Sequence, residues 1–125
     1  MNNAEFCELL QTLAAAWQRR DYTTAVSLFA EDVKYADPAR YEFASRADLQ
    51  AFFENDEGLE QQSVWHHILF DEAQQVGVAE YTYDGSWRYH GTVWIRVQDG
   101  LITHWREYQH TDPREWEDFV SGTGF

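Results

Sequence analysis

The stretch Asp99-Gly100-Leu101-Ile102-Thr103-His104-Trp105-Arg106-Glu107-Tyr108 decides the fold. An Asp-Gly pair between two runs rich in β-branched and aromatic residues is a hairpin signal. It predicts strands over residues 87–98 and 101–110. A three-residue loop from Gln98 to Gly100, with Gly100 left-handed, pairs Val97 with Leu101. Trp87, Tyr89, Gly91, Val93, Ile95 and Val97 then share one face with Leu101, Thr103, Trp105, Glu107 and Gln109. His90, Thr92, Trp94 and Arg96 share the other with Ile102, His104, Arg106, Tyr108 and His110. A two-residue turn would pair Val97 with Ile102 and carry Glu107 to the outer face, because a one-residue slip exchanges the faces of a strand. The longer loop is favoured, since it unites Val93, Ile95 and Val97 with Leu101 on one apolar interior.

Upstream, two further strands are expected over 62–71 and 75–84, with Asp84-Gly85 as a second hairpin turn. The first half reads as helices. Phe6, Leu9, Leu10, Leu13 and Trp17 recur at helical spacing. Asp21 caps a second helix carrying Ala25, Leu28 and Phe29, and Val33 to Asp37 forms a short strand ending at Asp37-Pro38. Ser45 and Asp48 open a third helix with Leu49, Phe52 and Phe53, closed by Gly58. Asp112-Pro113-Arg114-Glu115 reads as the cap of a short C-terminal helix bearing Trp116, Phe119 and Val120. Helices followed by an antiparallel meander give an α+β fold, a curved sheet packed on helices, in a single domain over residues 1–125.

Composition narrows the function. Of 125 residues, 17% are aromatic, and 22 acids against 9 bases leave a net charge of −13. A chain this acidic repels phosphate, so no nucleic-acid or anionic membrane partner is expected. The start lacks a signal peptide's basic and apolar segments, which makes the cytoplasm the expected location. A lone Cys7 excludes an internal disulfide and a cysteine-based zinc site, and the histidine spacings match no metal motif. No glycine-rich phosphate loop or nucleophile elbow is present. Neither a metal nor a cofactor is therefore expected.

Glu107 is the first candidate for chemistry. A carboxyl on an apolar face, beside the space left by Gly91, is either a general acid or base, or a structural carboxylate paired with an arginine or tyrosine. Asp37, two residues after Tyr35, either points into the same cavity or closes an Asp-Pro turn on nearby backbone. Tyr81, Tyr83 and Tyr89 give either pocket walls with hydroxyl tips or cross-strand packing. Of the adjacent His66 and His67, strand alternation sends one inward. Trp65, His67 and Leu69 form one set, and an inward His67 would serve as a proton shuttle. The outward set His90, Trp94, Ile102, His104, Arg106 and Tyr108 is too aromatic for water and predicts a homodimer through the outer sheet face.

Two segments carry a family resemblance. Phe29-Ala-Glu-Asp-Val-Lys-Tyr35-Ala-Asp37-Pro38 and the Trp105-Arg-Glu107-Tyr108 run after an Asp-Gly turn resemble the SnoaL-like branch of the nuclear transport factor 2-like superfamily, over residues 5 to 120. The resemblance implies a cone-shaped α+β barrel, a strongly curved, mostly antiparallel sheet wrapped on three N-terminal helices around a deep pocket, and dimers through the outer face. Within it, the limonene epoxide hydrolase type places its first-strand Tyr and Asn on Tyr35 and Asp37, and its last-strand Asp on Glu107. Its middle-strand Arg and Asp fall on Tyr81 and Tyr83, so its water-activating relay has no counterpart here. Isomerase and cyclase members work by acid–base carboxylates or histidines without a cofactor. The implied function is a small-molecule pocket, with Glu107, Asp37 and His67 as acid–base groups and Tyr35, Trp65, Tyr81, Tyr83, Tyr89 and Trp105 as ligand walls. The reaction would be isomerisation, cyclisation, dehydration or hydrolysis of a small apolar substrate. The alternative is a non-catalytic binding domain of the same fold.

Overall fold

The computed structural model describes residues 1–124. Three helices come first: α1 (Asn3–Arg19), α2 (Tyr22–Ser27) and α3 (Arg46–Glu54). Each starts on a side chain that accepts a backbone N–H of the first turn: Asn2, in a full capping box with Glu5, then Asp21 and Ser45. The strands are β1 (Phe29–Asp37), β2 (Tyr41–Phe43), β3 (Gln62–Asp71), β4 (Val76–Asp84), β5 (Arg88–Gln98) and β6 (Leu101–Thr111). They form one mixed sheet in the order β2-β1-β6-β5-β4-β3, antiparallel except for the β1–β6 pair. A short α4 (Trp116–Phe119) follows. No helix among the described residues is long and apolar enough to cross a membrane.

The sheet curls strongly. Trp65 on β3 and Trp105 on β6 lie three strands apart, about 14 Å in a flat sheet, yet their rings are 6.3 Å apart. α1 packs into this concave face, with Phe6 stacked on Phe70 at 4.4 Å. Gly77 makes room for it, since a β-carbon there would overlap the Phe6 ring. Phe6, Leu10, Leu13, Phe29, Leu49, Val93, Ile95 and Trp105 are buried together.

The β5–β6 register differs from the expected one in an instructive way. The turn is the two-residue form: Gln98 pairs with Leu101 and Val97 with Ile102, while Asp99 and Gly100 both have positive φ, as a type I′ turn requires. That alone would turn Glu107 outward. A bulge intervenes, because the next pair is Arg96 with His104, leaving Thr103 unmatched. The extra residue resets the alternation. Ile102, expected outside, is fully buried, and Trp105, Glu107 and Gln109 face inward as expected. The neighbour of Glu107 is Val93, and Gly91 pairs with Gln109 and Tyr81. The room beside Gly91 is filled by the Tyr81 ring, 2.8 Å from where a β-carbon would stand.

A second bulge overturns the expected orientation of His67. β3 pairs Trp65 with Tyr81 and then His67 with Glu80, skipping His66. Trp65, Ile68 and Phe70 pack on the core, while His66 and His67 both lie on the convex side. Strand alternation assumes an unbroken ladder, and a bulge breaks it. Other differences are local. β1 starts at Phe29, so Leu28 and Phe29 follow α2 instead of extending it. Asp112 caps no helix but accepts the Arg114 N–H in a turn, and α4 begins later, after Glu115. Trp87, expected on the interior face, is 66% exposed in the β4–β5 turn. The short β2 was not expected at all.

Candidate functional site

The concave side of the sheet encloses a cavity of about 480 Å³, open at one end. Its floor is Glu107, which is 5% exposed. β6 delivers Trp105, Glu107 and Gln109, β4 delivers Tyr81 and Tyr83, and β5 delivers Tyr89. Tyr35 and Tyr41 come from β1 and β2, Trp65 from β3 and Trp17 from α1. The aromatic rings stack into walls: Tyr35 lies parallel to Trp105 at 5.4 Å, and Trp65 meets Tyr81 edge-on at 5.6 Å. The Trp65 indole N–H is used by the Leu10 carbonyl at 2.9 Å.

Among the described residues, none of the ion pairs involves Glu107. Tyr41 donates its hydroxyl to Oε1, and the Trp105 indole N–H donates to Oε2 at 3.0 Å. The Tyr81 hydroxyl oxygen lies 3.0 Å from Oε2 and 2.9 Å from Gln109 Oε1. One phenolic proton serves only one of those two acceptors. Were Glu107 protonated, its carboxyl would donate to Tyr81 and Tyr81 to Gln109 Oε1, which would satisfy both acceptors. The Gln109 amide then directs its two N–H groups to Asp37 Oδ2 and the Tyr41 oxygen, each at 3.4 Å. The energetics agree. Burial raises the Glu107 carboxyl above its ordinary range, outweighing the donors from Tyr41, Trp105 and Tyr81, and the nearby Asp37 charge pushes the same way. The same burial, together with the Glu107 charge, raises the Tyr35, Tyr41 and Tyr81 phenols, which remain proton donors at neutral pH.

Asp37 closes the Asp-Pro turn and does not line the cavity. Its Oδ1 accepts the Ala39 N–H at 3.1 Å, the Asp-Pro turn, while Oδ2 faces Gln109 and lies 3.7 Å from Arg40 Nε. It therefore stands behind Gln109, one residue removed from Glu107. His67 is elsewhere. Its Nδ1 lies 3.1 Å from Glu80 Oε1 on the convex side, where it borders a separate groove against α4. A shuttle role in the cavity does not fit that position. Of the sequence candidates, the structure thus gathers Glu107, Tyr35, Trp65, Tyr81, Tyr83, Tyr89 and Trp105 around one space, with Asp37 adjoining and His67 apart.

Tyr41 and Gln109 are polar partners that sequence reasoning missed. The Tyr41-Glu42-Phe43 alternation after the Asp37-Pro38 turn was the available signal, since it folds back to pair Asp37 with Tyr41. Gln109 was placed on the interior face but given no role. Among the described residues no group of three or more His, Cys, Asp or Glu is arranged to hold a metal ion.

Likeness to known proteins follows the same lines. The chain superposes on an LEH-like epoxide hydrolase of M. tuberculosis with TM-score 0.74 and 18% identity, covering 86% of this chain and 84% of that one. A putative ketosteroid isomerase of Kribbella flavida gives 0.73 at 20% identity, covering 94% and 87%. A putative polyketide cyclase of Xanthomonas campestris gives 0.71 at 17%, covering 99% and 100%. At these identities the likeness is one of fold. A comparison with curated protein sequences gives no match. The SnoaL-like domain family matches residues 10–105, which spans α1 through Trp105 and so takes in most of the cavity walls. The chain belongs to that family.

Proposed function

We propose that this single domain is an acid–base enzyme acting on a small, largely apolar molecule, with Glu107 as the proton carrier. The observation that carries the reading is a buried carboxyl at the floor of an aromatic cavity, hydrogen-bonded to Tyr41, Tyr81 and Trp105 and in no ion pair among the described residues. A structural carboxylate would be paired with an arginine or a tyrosine, and Tyr41 and Tyr81 do bond Glu107; what favours chemistry is the place of this carboxyl on the lining of an open cavity. Here the arginine that lines the cavity, Arg40, lies against Asp37. Tyr41 and Tyr81 orient a polar oxygen of the substrate, and Gln109 links Glu107 to Asp37. These side chains supply every proton-transfer group that isomerisation, cyclisation, dehydration or hydrolysis needs.

The test is solvent exchange. In D2O, small apolar carbonyl compounds, with and without an amino group, should gain deuterium at carbon faster with the protein than in buffer. Compounds that bind while showing neither exchange nor conversion would return the cavity to the alternative, a site that only captures its ligand.

The assembly follows from the convex face. Trp94 is 48% and Tyr108 50% exposed on adjacent strands, beside the exposed Arg106. Two members of the expected set drop out: Ile102 is buried in the core, and His90 is covered by Trp116 and Phe119 of α4. The remaining patch supports a two-fold dimer. Trp94→Glu should then sediment as a monomer and wild type as a dimer. A monomeric wild type at high concentration would refute it.

A further inference from the structure

We propose that the ligand of this cavity is an organic cation, an alkylammonium or protonated amine with apolar substituents, held by aromatic faces and drawn in by carboxylates. The inference rests on reading the cavity as a ligand site and adds the chemical class. Twelve of its 24 lining residues are aromatic. Tyr and Trp faces attract cations through their ring quadrupoles, and quaternary ammonium groups are bound in such cages. The charged lining residues are Glu107 at the floor and Asp56, Glu57 and Glu60 toward the α3–β3 loop, against a single guanidinium, Arg40. That guanidinium is already engaged. It sits 3.7 Å from Asp37 and stacks 5.1 Å from the centre of the Tyr89 ring. The protein thus already seats one cation of its own on a ring of this cavity.

An anionic ligand would meet the Asp56, Glu57 and Glu60 carboxylates and, apart from the engaged Arg40, find hydroxyl, amide and indole donors. A neutral ligand would gain nothing from the lining charges or from the net charge of −13, whose field concentrates cations in a low-dielectric cleft. A cation gains from both. It also favours the ionised form of Glu107, so binding should release the share of a proton that the buried carboxyl holds at the assay pH. The groups facing that carboxyl are Tyr35 and Asp37 from β1, Tyr41 from β2, Tyr81 from β4, and Trp105 and Gln109 on its own strand. Burial favours the neutral form of Glu107 and of the Tyr35, Tyr41 and Tyr81 phenols alike, and the phenols stay protonated.

The experiment compares choline with 3,3-dimethylbutan-1-ol, its uncharged isostere, and with 3,3-dimethylbutanoate, at fixed ionic strength by calorimetry. Choline should bind about tenfold or more tightly than the alcohol, and the carboxylate least. Repeating the choline titration in two buffers of different ionisation enthalpy should show proton release that the alcohol does not cause. Glu107→Gln should abolish the release and shrink the preference. Equal affinity for choline and the alcohol, tighter binding of the carboxylate, no choline binding, or no proton release would each overturn the inference. Deuterium exchange by the wild type would be untouched by those outcomes, so the acid–base reading stands or falls separately.

Discussion

Glu107→Gln is expected to lower turnover of any substrate of the cavity by about 10²- to 10⁴-fold, the usual worth of a positioned general acid or base. KM should change little, because the amide imitates the neutral carboxyl. Its oxygen accepts from Tyr41, and its N–H group donates to the Tyr81 oxygen that Glu107 otherwise faces. A loss confined to kcat marks an interaction made in the transition state. The same variant should gain stability relative to wild type as pH rises. The sign follows from linkage. The folded carboxyl is raised above its ordinary 4.5 by burial, so the folded state holds this proton more tightly than the unfolded chain. The stability it contributes is complete below the unfolded value and is lost as pH rises through the folded one. Glutamine does not titrate; with its nitrogen at the Oε2 place it keeps the Tyr41 and Tyr81 bonds and gives up the acceptor of the Trp105 indole N–H, a loss that is the same at every pH. The difference in melting temperature should therefore move in favour of Glu107→Gln between pH 4 and pH 8. Unchanged turnover would remove Glu107 from the chemistry, and a pH-independent stability difference would contradict its neutral state.

The same residue shows what the sequence can and cannot disclose. The Asp99-Gly100 turn, the strand limits and the inward face of Trp105, Glu107 and Gln109 were legible from local pattern. The route to that face was not. The turn is shorter than expected, and the Thr103 bulge restores the parity that the short turn would have reversed. Bulges answer to the curvature of the whole sheet, which no local pattern encodes. The His66 bulge has the opposite consequence. It sends both histidines to the convex side, where His66 stacks on Trp116 at 4.1 Å and a chain of contacts runs through Thr82 to His90. Helix caps, by contrast, depend on the three or four residues that make them, and Asp21 and Ser45 were read correctly. The alternation of Tyr41-Glu42-Phe43 could disclose β2, but not that Tyr41 reaches Glu107, 66 positions away on β6.

Trp105→Ala is expected to cost about 3–5 kcal/mol, the range for deleting a large aromatic from a core. Against a domain stability of about 5–15 kcal/mol, that approaches unfolding. Trp105 is 2% exposed and ties the helices to the sheet: its ring lies 5.8 Å from Trp17 of α1, 5.9 Å from Phe29 and 6.3 Å from Trp65, besides the stack on Tyr35. No neighbour is free to collapse into the void, because the same rings brace one another. Denaturant titration reads this loss directly. Trp105→Phe separates packing from chemistry. It keeps a ring in the stack and removes the indole N–H that donates to Glu107 Oε2. That donor favours the charged carboxyl, so without it the neutral form is preferred further. The pH–rate limb belonging to Glu107 should therefore move to higher pH in Trp105→Phe, while the protein stays folded. A limb that stays in place would mean that the indole N–H does not tune the carboxyl. A limb moving to lower pH would show that the altered packing lets water reach the floor of the cavity.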